Sequence, residues 1–282
     1  MQDTAVLLID CPDRKGLVAA VASALYRHGA NITHADQHQD HEAGLFFMRV
    51  EWMLEGFALD EFREEFGRIA EEMSMRWRLA MMAERPRVAI FVSQYLHCLV
   101  DLLHRQQTGE LNCAIPLIVS NHSAAAPLAQ FYGARFHHVP VNAAEKEAAE
   151  AEQLRLLREA EIDLVVLARY MQILSGDFVA QYPHRIINVH HSFLPAFMGA
   201  KPYHAAFARG VKLIGATSHY VTEILDDGPI IEQDVVRISH RDQVTDLVEK
   251  GRDLEKMVLS RAVRWHLEHR VLCYGNKTVV FD

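Results

Sequence analysis

The sequence predicts an α/β protein of two domains: a ferredoxin-like β-α-β-β-α-β unit, then a larger Rossmann-like unit on a mostly parallel sheet. Three observations carry this expectation. Over residues 5–82, short apolar runs and two amphipathic stretches follow one another in that order. Ala83-Glu84-Arg85-Pro86-Arg87 is polar, holds a proline and marks a boundary, so residues 1–83 and 84–282 are read as the two domains. Beyond it, continuous apolar runs alternate with helical stretches, the pattern of parallel strands covered on both faces.

AVLLIDC (5–11) is a strand-type run, and Pro12-Asp13-Arg14-Lys15-Gly16 is a turn. LVAAVASALYRHGA puts Leu17, Val18, Val21 and Leu25 on overlapping helical turns, with Gly29 placed to stop the helix. NITHADQHQD (31–40) alternates weakly, GLFFMRVEW (44–52) reads as a better strand, and residues 41–44 form the hairpin between them. In LDEFREEFGRIAEEM (59–73), Leu59, Phe62, Phe66 and Ile69 share one face, and MRWRLAMM (75–82) closes the unit as a strand. In the second domain VAIFVSQ (88–94), IPLIVSN (115–121), FHHVPV (136–141), IDLVVLARY (162–170) and RIINVHHSF (185–193) are strands, while 96–106 and 144–161 are helical. Ligands of such open sheets bind beyond the carboxyl ends of the strands. Chemistry is therefore sought just after Val92, Val119, Leu167 and Ile187.

Composition excludes several classes. The 282 residues are 50% apolar and 23% charged, as in ordinary globular proteins. A net charge of −8 counts against a dedicated nucleic-acid binder. Four scattered cysteines without a CxxC pair suggest reduced thiols and a cytoplasmic protein. The N-terminus has no signal-peptide pattern, and no run approaches the roughly 20 apolar residues of a membrane span. Histidine is abundant, at 17, but there is no HExxH. The pairs His137-His138 and His190-His191 would point to opposite strand faces, so no metal is expected.

The densest polar constellation spans residues 186–233. Asn188 and His190 stand two apart at the end of an apolar run, and period two puts them on one face. A carboxamide donor beside an imidazole can stabilise an oxyanion and move a proton. His219 lies in a later strand-like run, and Leu225-Asp226-Asp227-Gly228-Pro229 is a tight acidic turn whose carboxylate can reach an imidazole. Taken alone, Asn-x-His at a strand end is more often a local cap. Asp-Asp-Gly-Pro is usually a turn and nothing more, so spacing alone assigns no catalysis. There is no G-x-S-x-G, which removes the serine hydrolase of that type.

In order, Asn188-Val189-His190, Ser192-Phe193-Leu194-Pro195, Thr217-Ser218-His219 and Leu225-Asp226-Asp227-Gly228-Pro229 resemble the signature of the folate-dependent formyltransferase family, over residues 86–282. LARYMQIL (167–174) is similar to that family's pterin-side strand end. The doubled histidine in NVHHSFLPAF and the closing run GRDLEKMVLSRAVRWHLEHRVLCYGNKT look closer still to a hydrolytic member. The resemblance implies that 10-formyltetrahydrofolate is the substrate, with no separate cofactor. It would be hydrolysed to tetrahydrofolate and formate, balancing the one-carbon folate pool and supplying formate for purine synthesis. It implies Asn188, His190 and Asp226 as the catalytic set. Asn188 and His190 would donate to the oxyanion, His190 would pass a proton to the departing nitrogen, and Asp226 would hold His190 and position water. It places the pterin against the backbone around Arg169, Met171, Gln172 and Leu174 and the turn from Val221 to Asp227. His219 would support Asp226 or its loop.

The purine branch of that family passes the formyl group to a ribonucleotide amine and grips the phosphate with a glycine-rich loop after the first strand, the kind of site a helix N-terminus suits. Here the matching run, residues 91–98, has no glycine, and bulky Tyr95 and Leu96 sit where a backbone would approach. Water is then the expected acceptor. The alternative is a transferase, acting on a ribonucleotide or a charged tRNA, whose grip lies elsewhere. CPDRKGLVAAVASALYRHGANI resembles ACT domains, which often bind amino acids and often pair edge to edge. That implies an effector such as glycine or methionine near Asp13, Gly16 and Asn31, and a homo-oligomer. A domain that serves assembly alone, or an amino-acid sensor without enzymatic activity, are the competing readings.

Overall fold

The computed structural model describes residues 3–142, 144–196 and 202–281. The Phe197 end of the HSFLPAF run therefore lies outside the described residues. The chain divides into two compact units, 1–85 with 268–272 and 279–282, and 86–267 with 273–278. The division falls two residues after the boundary expected from the sequence, and part of the C-terminal segment groups with the first unit.

The first unit runs β1 (Thr4–Pro12), α1 (Leu17–Arg27), β2 (Asn31–Asp40), β3 (Leu45–Met53), α2 (Leu59–Glu72) and β4 (Arg76–Met81). The sheet order is β2-β3-β1-β4, antiparallel throughout. Leu17, Val21, Ala24 and Leu25 of α1 and Phe62, Phe66 and Ala70 of α2 are buried against it. Leu59 and Ile69, expected on the apolar face of α2, are only half-buried. The weak alternation of β2 has a structural reason: it is an edge strand, exposed along nearly its whole length. Arg49, in the middle of β3, is buried, and its guanidinium donates to the carbonyls of Glu268 (3.2 Å) and His269 (3.1 Å). Those two bonds explain why the distant C-terminal segment belongs to this unit.

His269 is largely removed from water and close to Arg78 and Arg49, and burial first, then those charges, push its pKa down to about 4. Between the ordinary 6.5 and that value the unfolded chain takes up a proton that the fold refuses. Stability from this group is complete above pH 6.5 and is lost as pH falls toward 4, by at most about 3 kcal/mol. The melting temperature is expected to fall across that window, and His269→Asn, which suits the positive φ of 51°, to remove part of the fall. An unchanged pH profile in the variant would count against this assignment.

The second unit contains β5 (Arg87–Val92), α3 (His97–Gln107), β6 (Ala114–Ser120), α4 (Ala126–Phe131), β7 (Arg135–His138), α5 (Lys146–Glu159), β8 (Leu164–Leu167), α6 (Gly176–Ala180), β9 (Ile186–His190), α7 (Pro202–Arg209), β10 (Leu213–Tyr220), β11 (Ile230–Arg237) and the long α8 (Val244–Leu267). A short hairpin, β12 (Val271–Tyr274) with β13 (Lys277–Val280), ends the chain. Seven strands lie in the order β11-β10-β9-β8-β5-β6-β7. The five strands from β9 to the edge strand β7 are parallel, while β10 runs antiparallel to both β9 and β11. β8 is buried along its whole length, which is why it reads as a continuous apolar run. From β5 the chain builds outward through β6 and β7, then returns to lay β8 and β9 on the other side. The loops after β5 and β8 therefore face each other across the switch in strand order, where a doubly wound sheet opens its crevice.

Candidate active site

A cavity of about 430 Å³ opens at the carboxyl ends of β8 and β9. Asn188, His190, His219 and Asp226 line it, as do Arg169, Met171, Gln172, Leu174 and Val221. Asp227 is not among the lining residues. Met171, Ile173 and Leu225 hold exposed apolar side chains at this cavity, the kind of surface that a flat, partly apolar ligand covers.

Strand pairing sets the polar floor. Asn188 of β9 stands opposite His219 of β10, and its amide nitrogen is 3.2 Å from His219 Nε2. His219 Nδ1 lies 2.9 Å from the carbonyl of Tyr220. A carbonyl only accepts, so Nδ1 carries the proton and Nε2 accepts from Asn188. Burial holds the His219 pKa below its ordinary value, against the pull of the Tyr220 carbonyl and Asp226. The ring stays neutral and fixes which end of the Asn188 amide is the donor, leaving its second N–H for a ligand.

His190 ends β9, with Nδ1 3.2 Å from Asp226 Oδ1. Its Nε2 is buried and has no hydrogen-bond partner among the described residues. Burial acts to raise the Asp226 pKa, but the hydrogen bond from His190 and the charge of that ring hold it below the usual carboxylate range. His219 Nε2 is also 3.9 Å from the same carboxylate oxygen. Asp226 sits in a turn at φ 55°, pinned by Tyr220 N–H donating to the Pro229 carbonyl (2.9 Å) and Val221 N–H to that of Ile186 (2.9 Å). The result is a carboxylate, an oriented imidazole with a free inward nitrogen, and an oriented carboxamide at one cavity. These are the parts that amide-type carbonyl addition needs.

Thr217 binds the segment that leaves β9: its hydroxyl donates to the Ser192 carbonyl (2.9 Å) and accepts from Leu194 N–H (3.1 Å). Ser192 itself donates to the Ala196 carbonyl (2.7 Å), a local tie. His191, just past the end of β9, also lines the cavity and is buried, with its ring 6.0 Å from that of Tyr203. Tyr170, Ile173, Thr222 and Glu223 also line the cavity and were not singled out in the sequence. The strand-end run 167–174 and the acidic turn brought attention to their neighbours, but nothing in spacing says which of these side chains turn inward.

In the first unit a cavity of about 510 Å³ is lined by Asp13, Arg14, Gly16, Gln37, Gln39 and Phe46 among others. Asp13 and Gly16 therefore meet there, and Gln39 donates to Asp13. Asn31 does not join them. It pairs with Met53 at the far end of β2, whereas Asp13 N–H donates to Gly44 at the other end of the sheet (2.9 Å). A strand of this length spans roughly 30 Å at about 3.3 Å per residue.

Comparison with known proteins places this geometry. Residues 86–263 match the family model described as formyl transferase, and residues 5–57 match the ACT domain. A formyltetrahydrofolate deformylase of Synechocystis is 55% identical over 280 residues, covering 99% of this chain and 98% of that relative. The crystal structure of a formyltetrahydrofolate deformylase from Pseudomonas syringae superposes with a TM-score of 0.97 at 53% identity, covering 100% of this chain and 95% of that one. A glycinamide ribonucleotide transformylase from Symbiobacterium toebii covers only 70% of this chain and 95% of its own, with a TM-score of 0.66 and 29% identity. By these matches the chain belongs to the formyl transferase family and, within it, to the formyltetrahydrofolate deformylases.

Proposed function

We infer that this chain hydrolyses 10-formyltetrahydrofolate to tetrahydrofolate and formate. The observation that carries the reading is the His190–Asp226 pair, with His190 Nε2 buried, unpartnered and at the cavity that Asn188 also lines. Water adds to the formyl carbon and the carbonyl oxygen becomes an oxyanion. Asn188 N–H and His190 Nε2–H donate to that oxygen. Asp226 accepts from Nδ1, which turns Nε2 inward, and its second oxygen orients the water and takes the proton that the water loses on adding. As the C–N10 bond breaks, His190 delivers a proton to the nitrogen, and the formyl group leaves as formate. These steps use side chains and water alone. The apolar side chains of Met171, Ile173 and Leu225 offer a surface for the pterin, alongside the backbone of residues 169–174. Formate released from 10-formyltetrahydrofolate without any acceptor is the expected result. Formylated glycinamide ribonucleotide with little formate would establish a transferase instead.

The cavity at Asp13, Gly16 and Gln39 is our candidate for an amino-acid effector, glycine or methionine, with Asp13 to meet an ammonium group and Arg14 a carboxylate. Saturating glycine or methionine is expected to shift both the rate of formate release and the melting temperature. No change in either would leave the domain as an assembly device. The exposed edge strand β2 suits pairing with a second copy, so a homo-oligomer is our reading. No described helix is long and apolar enough to cross a membrane, and with four cysteines outside any disulfide we read the enzyme as cytoplasmic.

A further inference from the structure

Next to the catalytic set lies a buried polar cluster that the reaction above does not use. Glu255 of α8 is only 1% exposed. Its carboxylate meets His97 Nε2 at 2.7 Å, the Tyr203 hydroxyl at 2.7 Å and Arg169 Nε at 3.4 Å. His97 is the first residue of α3, straight after the glycine-free loop that follows β5, and Arg169 belongs to the loop after β8. Ser93 joins the two loops, its N–H donating to the Arg169 carbonyl (3.3 Å) and its hydroxyl accepting from Met171 N–H (3.0 Å). The Arg169 guanidinium lies 5.5 Å from the centre of the Tyr95 ring. Tyr203 passes so close to Gly251 that a Cβ there would stand 2.0 Å from its hydroxyl oxygen. His191 packs on Tyr203 and has its ring 5.2 Å from that of His190, so the cluster abuts the reacting centre.

Two features set this cluster apart from ordinary packing. Arg169 is buried at φ 63°, a conformation that strains any residue but glycine by about 1–2 kcal/mol, and its Nε has no hydrogen bond among the described residues. Strain and an unsatisfied buried donor together are a cost that function, rather than stability, accounts for. The second feature is position. The loop after the first strand of such a sheet, with a helix N-terminus behind it, is where an external anion is usually seated. Here a carboxylate of the chain's own already occupies that neighbourhood, and it stays charged. Burial alone would raise its pKa, but the His97 hydrogen bond and the Arg169 charge hold it below the ordinary value. His97, Cys98 and Glu255 offer ligand atoms within 4.8 Å of one another. The fixed Arg169 charge beside Glu255, and a thiol that burial keeps protonated, make the cluster an ion-pair network rather than a cation cage.

The transformylase relative shares this domain over nearly its own full length, so what decides between an amine and water as acceptor has to lie in side chains of this domain. We propose that Arg169 and Glu255, braced by His97, Tyr95 and Tyr203, form a built-in stopper that fills the acceptor side of the cavity and admits water but not a phosphorylated amine. This rests on the hydrolytic reading above and names the residues that make the enzyme hydrolytic.

Glycinamide ribonucleotide is the probe, and Arg169→Gly the variant, since glycine accepts the positive φ. With wild-type enzyme, millimolar ribonucleotide is expected to change neither the melting temperature nor the rate of formate release. In Arg169→Gly it is expected to raise the melting temperature and to increase the ratio of formylated ribonucleotide to formate at least tenfold. Wild-type enzyme that is stabilised or competitively inhibited by the ribonucleotide overturns the proposal, whether or not the variant folds. So does a folded variant that neither binds nor formylates it. Wild-type enzyme that releases no formate in the absence of acceptor would sink the hydrolytic reading instead, and the binding measurements would still decide whether the acceptor side is closed.

Discussion

Asp226→Asn is expected to lower kcat for formate release by about 10³-fold or more, with little change in melting temperature. The carboxylate does two things that an amide cannot. It accepts from His190 Nδ1 at 3.2 Å, which holds the ring with Nε2 toward the cavity. It also supplies the negative charge that sustains an imidazolium as the proton is passed on. An asparagine can present an NH₂ group to Nδ1 instead, which leaves a neutral ring with its one proton on Nε2 and removes the charge that makes that ring an acid. The loss should appear in kcat more than in KM, because the pterin contacts are made by other residues. Since the Asp226 carboxyl is held below its ordinary 3.8, its protonation should limit the wild-type rate only below about pH 4. A variant within tenfold of wild type would remove Asp226 from the mechanism and leave His190 to act on its own.

What could be read in the sequence followed what is local. The β-α-β-β-α-β order was visible because each strand and helix carries its own period, and the two helices of the first unit begin where the apolar spacing begins. The strand-end position of Asn188 and His190 was visible because period two is a property of five consecutive residues. Spacing could not decide between a cap and a catalytic pair; only the ordered resemblance to a family did. The rest depends on contacts between distant segments. His219 faces Asn188 because β10 runs antiparallel to β9, a register that no local pattern encodes. Glu255 meets His97 across 158 positions, a contact that no local pattern encodes. The resemblance to ACT domains groups Asn31 with Asp13 and Gly16, but an extended strand carries it to the other end of the sheet. The assignment of 268–272 to the first unit turned on Arg49, a charged residue buried in a strand.

Gly228→Ala is expected to cost about 10²-fold in kcat, although the substitution adds one methyl group and touches no reacting atom. A Cβ at this position would stand 1.7 Å from the Tyr220 carbonyl oxygen and 3.3 Å from His219 Nδ1. Neither neighbour is the free end of a flexible side chain. The carbonyl belongs to β10, and it is the acceptor that fixes the His219 tautomer at 2.9 Å. To admit the methyl group the turn must move away from the strand by an ångström or more. The Tyr220–Pro229 backbone bond at 2.9 Å would break and Asp226, two residues earlier, would be carried away from His190. If instead the strand yields, His219 loses its carbonyl partner and Asn188 loses the acceptor that orients it. Either route separates parts of the catalytic set while the cores of both units stay intact. The melting temperature should therefore fall modestly and the rate steeply. Full activity in Gly228→Ala would mean that the turn is looser than the packing of Tyr220 against it, and that Asp226 is placed by its contact with His190 rather than by the backbone.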